Sequence, residues 1–344
     1  MNIPIKDLGY QDKLSNTSQW GGIETAVIDN GLGRGTRIAW INTGTGLRYK
    51  VVIDRAMDIA DAFYHQYSLS WISPTGILPP ARFADKGTDW LKNFGGGLLT
   101  TCGLTHVGGP ELEGEEARGV HGAISNVSAE IIAVEQPRPL EGKMNMSITG
   151  IIKEAKVFGP VLELRRTISG TLGQPHIKIS DEVINLGNTP CPHMLLYHYN
   201  LGWPLINKGT TINWEGKWTA REKEHAVLFK EGNPFKTCTD PIDSHNGGGE
   251  EAAFIDVKED SNGMVNCGVY NPQLQFGLEL TYKKEELPCL TNWLHYAKGE
   301  YVVGLEPGTN PPIGQSKAKK ESSLIYLQPG EKRQYTTKIE IREM

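Results

Sequence analysis

Turn signals recur from one end of this 344-residue chain to the other, and they limit how long any regular element can be. The chain contains 40 glycines and 20 prolines, which are scattered rather than gathered in one linker. Asn30-Gly31, Asn262-Gly263 and Pro329-Gly330 are examples of pairs that favour tight turns. Closely spaced turns of this kind are typical of an all-β sandwich or barrel.

The segments between the turns alternate apolar and polar residues with the period of two that a β-strand requires. They predict an antiparallel meander within residues 127–185 and a second group of strands near the C-terminus: 131–135, 144–152, 162–169 and 176–185, then 274–282, 301–305, 323–327 and 334–341. The best helix candidate, residues 85–93, is short. We therefore predict an all-β fold, a large antiparallel β-sandwich with very little helix. No repeat or composition shift marks a boundary, so residues 1–344 are expected to form a single domain.

Composition and charge argue against several classes of function. The formal net charge is −5 and no basic stripe is visible, so we expect no nucleic-acid partner. No run of about 18 apolar residues is present, so we expect no membrane partner, and the N-terminus lacks the pattern of a signal peptide. The five cysteines are odd in number and widely spaced, which indicates free thiols and a cytoplasmic protein. The sequence leaves the oligomeric state open.

His198 is the first candidate for chemistry. It lies in the segment Leu-Tyr-His-Tyr-Asn-Leu-Gly-Trp-Pro, at the end of a predicted strand where glycine and proline stop regular pairing. Because the pKa of imidazole lies near neutrality, a histidine that faces a cleft at such a position can act as a general acid or base. The alternative is a buried histidine that forms a hydrogen bond with the backbone.

Glu306 is the second candidate. It follows directly on the apolar run 301–305 and precedes Pro-Gly-Thr-Asn-Pro-Pro, a turn sequence. A carboxylate is rarely found at the end of a buried strand without a partner. One held at the floor of a cleft is a candidate base whose pKa is set by its surroundings. The alternative is a turn residue that caps backbone amides.

Three further residues are candidates for contact with a ligand. Gly119 and Gly122 would allow close approach to His121, unless that histidine simply lies on a surface turn. Trp293 lies in a polar and aromatic segment that suits a cleft wall, although most tryptophans belong to the core. The guanidinium of Arg55 offers five donors to ligand hydroxyls, unless it pairs with a nearby aspartate, that is, Asp54, Asp58 or Asp61.

Metal binding has no support in the local spacing of possible ligands. His106, His121 and His198 could cluster in space, but no HxH, HExxH or CxxC pattern occurs in the chain. We therefore expect no metal and no other cofactor.

Together these segments resemble the aldose 1-epimerase-like superfamily, which has the galactose mutarotase fold. The similarity rests on residues 55–59, 96–104, 121–122, 196–202 and 305–310, so it spans most of the chain. Within the superfamily, the chain is most similar to a poorly characterised branch long catalogued as a domain of unknown function. The order arginine, histidine-glycine, histidine, glutamate matches the order of the site residues in mutarotases.

The resemblance implies a role for each matching residue. Glu306 matches the family's catalytic base and His198 its acid, although the block around His198 lacks the usual preceding asparagine. His121 and Arg55 match residues that contact the sugar. We expect three more residues to contact the substrate: Asn200, Trp293 and Asn310. The family also has an aspartate that holds sugar hydroxyls, and three residues could match it: Asp240, Asp243 and Asp256.

The activity that the resemblance implies is the interconversion of the anomers of a free sugar, so the expected partner is a small-molecule carbohydrate. A base removes the proton of the anomeric hydroxyl while an acid protonates the ring oxygen. The ring opens, the C1–C2 bond rotates, and the ring closes on the other face. Because a fold does not fix a function, two alternatives stay open: a non-catalytic sugar-binding or sensor protein, and another sugar isomerase.

Overall fold

Antiparallel strands make up almost all of the regular structure. The computed structural model describes residues 5–81, 86–114, 116–222 and 226–343. Within these residues the strands are, in chain order, β1 (Gly22–Val27), β2 (Arg37–Asn42), β3 (Leu47–Val52), β4 (Asp58–Tyr64), β5 (Tyr67–Ser68), β6 (Leu99–Leu104), β7 (Glu111–Glu113), β8 (Glu116–Arg118), β9 (Glu130–Glu135), β10 (Asn145–Ala155), β11 (Val161–Thr171), β12 (His176–Asn185), β13 (Cys191–Gly202), β14 (Thr211–Asn213), β15 (Gly216–Ala220), β16 (Glu251–Val257), β17 (Met264–Asn271), β18 (Phe276–Lys283), β19 (Cys289–Ala297), β20 (Glu300–Gly308), β21 (Ile325–Leu327) and β22 (Lys332–Glu343).

Helical structure is limited to short pieces. The described ranges contain one α-helix, α1 (Gln315–Lys320), and six single-turn 3-10 helices: Ile5–Leu8, Thr17–Gln19, Asp89–Lys92, Ile124–Asn126, Pro139–Glu141 and Asp243–His245. The helix predicted at residues 85–93 is one of these 3-10 turns, and residue 85 lies outside the described residues. None of these helices has the length and hydropathy needed to cross a membrane.

The strands form two large sheets. The first has the order β1-β2-β3-β4-β6-β13-β20-β19-β16-β15, with β5 beside β4 and β21 beside β13, and we call it the large sheet. The second has the order β14-β17-β18-β22-β12-β11-β10-β9 and is called the small sheet. The short strands β7 and β8 form a separate hairpin. This arrangement confirms the all-β fold and the predicted meander, which is β9 to β12.

The main core lies between the two sheets. Along β11 alternate side chains are buried, as the sequence pattern predicts for a strand with one face on a core. Leu164 and Ile168 of the small sheet belong to the same buried cluster as Tyr49, Leu195 and Tyr197 of the large sheet. The burial of these apolar faces is the main source of the stability of the sandwich.

A buried ionic network crosses this core. Arg166 on β11 places Nη2 at 2.7 Å from Oδ2 of Asp181 and donates from Nη1 to Oγ1 of Thr101 on the large sheet, also at 2.7 Å. Its Nη1 is 3.3 Å from Oδ1 of Asp58, and the hydroxyl of Tyr197 donates to Asp181. The network therefore joins both sheets through charges that would be costly to leave unpaired.

The centre of the large sheet is buried on both faces. On β13, Tyr197 and Tyr199 point into the main core, where Tyr199 forms a hydrogen bond with Thr337. Because successive side chains alternate, Leu196 and His198 point to the opposite face. Loops and the helix α1 cover that face, and together with side chains of the sheet they form a second apolar cluster: Trp71, Trp90, Phe94, Cys102, Val107, Met194, Leu196, Val302 and Ala318.

Candidate active site

A cleft of about 600 Å³ opens on this outer face of the large sheet, beside the second apolar cluster. Its volume lies in the range of small-molecule sites. Aromatic rings form much of its wall, and polar side chains line its floor and one side: Trp71, Trp90, Phe94 and Trp293, with His121, His198, Arg221, Glu250 and Glu306. The cleft therefore combines the apolar walls and few polar groups of a ligand-binding site.

Strand pairing brings His198 and Glu306 together on the floor of the cleft. Tyr199 on β13 pairs with Leu305 on β20. In an antiparallel pair, the residue before Tyr199 then lies beside the residue after Leu305. Nε2 of His198 is 3.3 Å from Oε1 of Glu306, and the two residues are only 5% and 3% exposed.

Neither of these side chains is used to cap or support the backbone. Nδ1 of His198 and Oε1 of Glu306 are buried and make no hydrogen bond within the described residues. Nδ1 of the neighbouring His121 is likewise buried and has no hydrogen-bond partner within the described residues. Buried polar atoms nearly always have partners. Three unpaired atoms around one cleft thus indicate a site built for a polar ligand.

His121 is held against His198 by an unusual backbone conformation. Its φ of 56° lies in the left-handed region, which non-glycine residues rarely adopt. Gly122 follows with φ 73°, and an added Cβ there would lie 2.5 Å from the carbonyl oxygen of Gly103. The ring centroids of His121 and His198 are 5.9 Å apart. Conformational strain of this kind is often found at functional sites.

Burial shifts the pKa of each titratable side chain on the floor of the cleft in the direction that favours its neutral form. It raises the pKa of Glu306 well above the ordinary value, and the charge of Glu250 adds to this shift. Burial lowers the pKa of His198 to about 4, and it lowers that of His121 well below its usual range. A carboxyl and an imidazole with shifted pKa values in one cleft are candidates for acid–base chemistry.

A second carboxylate is fixed at the side of the cleft. Oε1 of Glu250 is 2.7 Å from Nη2 of Arg221, and Nε1 of Trp293 donates to its Oε2 at 2.6 Å. Trp293 lines the cleft. Sequence reasoning missed Arg221 and Glu250. The glycine run 247–249 just before Glu250 was the available signal, because such a run allows a tight turn that presents the next side chain.

Arg55 does not reach the cleft. Its guanidinium donates to the backbone carbonyls of Ser125, Asn93 and Leu78, so three of its five donors are used within the fold. The aspartates considered as partners bind other cations instead: Asp54 binds Arg37, Asp58 binds Arg166 and Asp61 binds Lys50. The structure thus places Arg55 as a support for the loops that form the cleft.

Asn200 and Asn310 are also buried beside the site rather than in it. Nδ2 of Asn200 donates to the carbonyls of Gly97 and His198 at 3.1 and 2.9 Å. Nδ2 of Asn310 donates to the carbonyl of Ser323 at 2.7 Å. Both amides therefore hold strands and loops in place, because side-chain donors next to irregular backbone satisfy its carbonyls.

None of the three candidate aspartates lines the cleft. Asp240 pairs with Lys208, Asp243 with Lys298 and Asp256 with Lys284, all at the surface. Besides Glu306, the charged residues that line the cleft in the described part of the chain are Arg221, Glu250 and Glu300. In that same part, no group of three or more His, Cys, Asp or Glu residues is arranged to hold a metal ion.

Comparison with known proteins identifies both a family and a fold. The model of a domain of unknown function, DUF4432, matches residues 33–341. A provisionally assigned aldose 1-epimerase from Klebsiella pneumoniae is similar in structure, with a TM-score of 0.79 and 20% identity over 95% of this chain and 86% of that one. No curated protein matches the chain.

Two further solved structures have the same fold. A galactose mutarotase-like protein from Clostridium acetobutylicum has a TM-score of 0.63 and 12% identity, over 94% of this chain and 98% of that one. A galactose 1-epimerase from Lactobacillus acidophilus has a TM-score of 0.59 and 12% identity, over 93% and 98%. At such low identity these similarities establish the galactose mutarotase-like fold, and function has to be argued from the site.

Proposed function

Because this chain belongs to the DUF4432 family and has the galactose mutarotase-like fold, we propose that it is an aldose 1-epimerase-like isomerase that interconverts the anomers of a free sugar. One observation carries the proposal. His198 and Glu306 are buried side by side in an aromatic cleft, with polar atoms that lack partners among the residues that the structure describes.

The spacing of the two groups fits the chemistry of ring opening. The anomeric oxygen and the ring oxygen are both bonded to C1, so groups that serve these two oxygens must lie close together. Glu306 removes the proton of the anomeric hydroxyl, and His198 protonates the ring oxygen as the C1–O bond breaks. When the ring closes on the other face, the two residues exchange roles. The reaction needs only proton transfers and no net change of charge.

The two residues work with one proton between them. In the empty cleft burial disfavours the charged forms of both, which favours a neutral carboxyl beside a neutral imidazole. A bound sugar supplies hydrogen bonds to the unpaired atoms and makes the charged state, carboxylate beside imidazolium, more accessible. A cleft that excludes water strengthens these interactions further.

Other residues of the cleft hold the sugar. The rings of Trp71 and Trp293, whose centroids are 6.1 Å apart, offer apolar surfaces to the C–H face of a pyranose. Glu250, fixed by Arg221 and Trp293, accepts hydrogen bonds from hydroxyls in the place of the family's aspartate. His121, which lines the cleft, supplies a further polar contact. All five cysteines are free thiols, which supports a reducing, cytoplasmic setting.

The test is anomer exchange measured by NMR or polarimetry on freshly dissolved single anomers of neutral, deoxy, acidic and sulfonated sugars. We expect at least one sugar to equilibrate faster than in buffer, and Glu306→Gln to abolish the acceleration. Glu300→Gln is the matched control, since Glu300 lines the cleft but takes no part in the proposed proton transfers. If no sugar is accelerated but one binds tightly, the protein is a sugar-binding protein instead.

A further inference from the structure

A second recess lies beside the cleft, on the other side of Trp71. It has a volume of about 520 Å³, and Trp71 lines both spaces. The turn between β19 and β20 also separates them, because Glu300 faces the cleft while Gly299 and Tyr301 line the recess. The recess is therefore adjacent to the proposed catalytic site but has its own wall and its own polar groups.

Trp203 is the most unusual residue of this recess. Its side chain is 68% exposed, although it comes directly after the buried strand β13. Exposure of a large aromatic ring to solvent is unfavourable. A surface position without a binding partner has no need of such a ring. Exposed apolar surface that is rimmed by polar groups often marks an interaction site.

A close approach of two backbone segments creates this position. An added Cβ at Gly202 would lie 2.5 Å from Cα of Trp71. Only glycine allows the segment around Trp71 to cross the end of β13 at that distance. The crossing puts Trp71 between the two spaces, and Trp203 becomes part of the outer one. Gly202 and Trp203 therefore shape the recess at the point where strand β13 ends.

The polar groups of the recess are available to a ligand. Lys208 and Asp240 line it and form an ion pair in which both side chains are about two-thirds exposed. Exposed ion pairs of this kind contribute little stability, so these groups can exchange their contact for ligand hydroxyls at little cost. Asn207 adds an amide whose nitrogen bonds only to the exposed Gln273 within the described chain.

We propose that the recess is a second carbohydrate-binding site, in which a pyranose ring stacks on Trp203 while its hydroxyls bond to Lys208 and Asp240. A flat aromatic face beside a carboxylate, an ammonium and an amide matches a sugar, which has an apolar C–H face and a rim of hydroxyls. The ring belongs either to a separate sugar or to the second residue of a disaccharide that also enters the cleft. The proposal concerns binding alone and is independent of turnover at Glu306.

Methyl glycosides of glucose, galactose and mannose are the first probes, because a blocked anomeric centre cannot be isomerised. Maltose, cellobiose and lactose are the second set. Binding to the full-length protein is followed by saturation-transfer difference NMR and isothermal titration. We expect Trp203→Ala to weaken the binding of at least one probe by about tenfold or more. The control Phe158→Ala, which removes a fully exposed ring outside the recess, is expected to change nothing.

The outcomes distinguish a separate sugar in the recess from the second residue of a disaccharide. Loss of methyl glycoside binding in Trp203→Ala indicates a separate sugar, and loss confined to disaccharides indicates an extended ligand. Trp203→Ala is also expected to leave the exchange rate of free monosaccharides unchanged, because Trp203 lies outside the cleft. If no probe binds, or if Trp203→Ala binds every probe as the wild type does, the recess is not a carbohydrate site.

Discussion

Nε2 of His198 and Oε1 of Glu306 lie 3.3 Å apart on two neighbouring strands, β13 and β20, at the centre of the large sheet. Their separation is fixed by the register of the strands and not by a loop. A site supported in this way keeps its geometry in the absence of ligand. Changes to either side chain are therefore expected to affect the chemistry more than the fold.

The first prediction concerns catalysis. Glu306→Gln keeps the size of the side chain but removes the base, and His198→Asn removes the acid. Each change is expected to lower kcat by about 10²- to 10⁴-fold, with circular dichroism spectra like that of the wild type. The double variant should lose much less than the product of the two single losses, because the residues act as one unit. Unchanged kcat in Glu306→Gln would show that this assignment of the base is wrong.

The second prediction concerns the pH dependence of turnover. The rate should be bell-shaped, because the two residues must share one proton. The acid limb is expected near the lowered pKa of His198, about 4, where a second proton is taken up. The alkaline limb, where the last proton is lost, should lie well above the ordinary carboxyl range because the pKa of Glu306 is raised. Initial exchange rates measured across the pH range would reveal both limbs, and a flat profile would contradict the scheme.

The third prediction concerns the fixed carboxylate Glu250. Its negative charge raises the pKa of both Glu306 and His198, so Glu250→Gln should shift both limbs of the pH profile to lower pH. Loss of a charged acceptor for sugar hydroxyls should also raise KM by about tenfold or more. Glu300→Gln serves as the comparison and should leave both limbs in place. Limbs that do not move in Glu250→Gln would show that its charge is not felt at the floor.

The fourth prediction separates Arg55 from His121. Arg55→Ala leaves three backbone carbonyls without their donor, and the expected loss in the free energy of unfolding is about 1–3 kcal/mol. His121→Ala should instead raise KM with little change in stability. Urea titration and substrate titration of both variants test this division. If Arg55→Ala raises KM strongly and leaves the free energy of unfolding unchanged, Arg55 contacts the ligand after all.

The fifth prediction links function to stability. The folded protein binds the proton of Glu306 more tightly than the unfolded chain does, because burial raises the pKa of this group. Its contribution to stability is complete below the ordinary pKa of 4.5 and is lost as pH rises through the folded value. Glu306→Gln should therefore gain free energy of unfolding over the wild type as pH rises, with little difference at low pH. Urea unfolding at about pH 4 and about pH 8 measures the two limits.

Much of the fold could be predicted from local pattern. β12 has the predicted bounds of 176–185, since a strand with one buried face has a clear period of two. Prediction was weaker where both faces of a strand are buried. β6, for example, is buried at every position and shows no alternation. That the whole chain forms one domain stays a prediction.

The candidate site was only partly predictable. His198 and Glu306 are polar residues at the ends of apolar runs, a signal that is visible in one sequence. Their contact depends on which strands become neighbours, and no local pattern contains that information. Arg221 and Glu250 lie in or beside irregular segments, and the glycine run 247–249 before Glu250 is the one local signal near either residue.

The alternation along β13 has an evolutionary consequence. Tyr197 and Tyr199 anchor the strand to the small sheet, while His198 between them faces the cleft. The proposed acid His198 thus lies on a strand that is buried along almost its whole length, whereas Arg221, Glu250 and the segment around Trp71 belong to the margins of the cleft. Mutations in those margins can change which ligand is accepted while the reaction itself is preserved. Such an architecture lets descendants of one ancestor diverge in substrate without having to reinvent their chemistry.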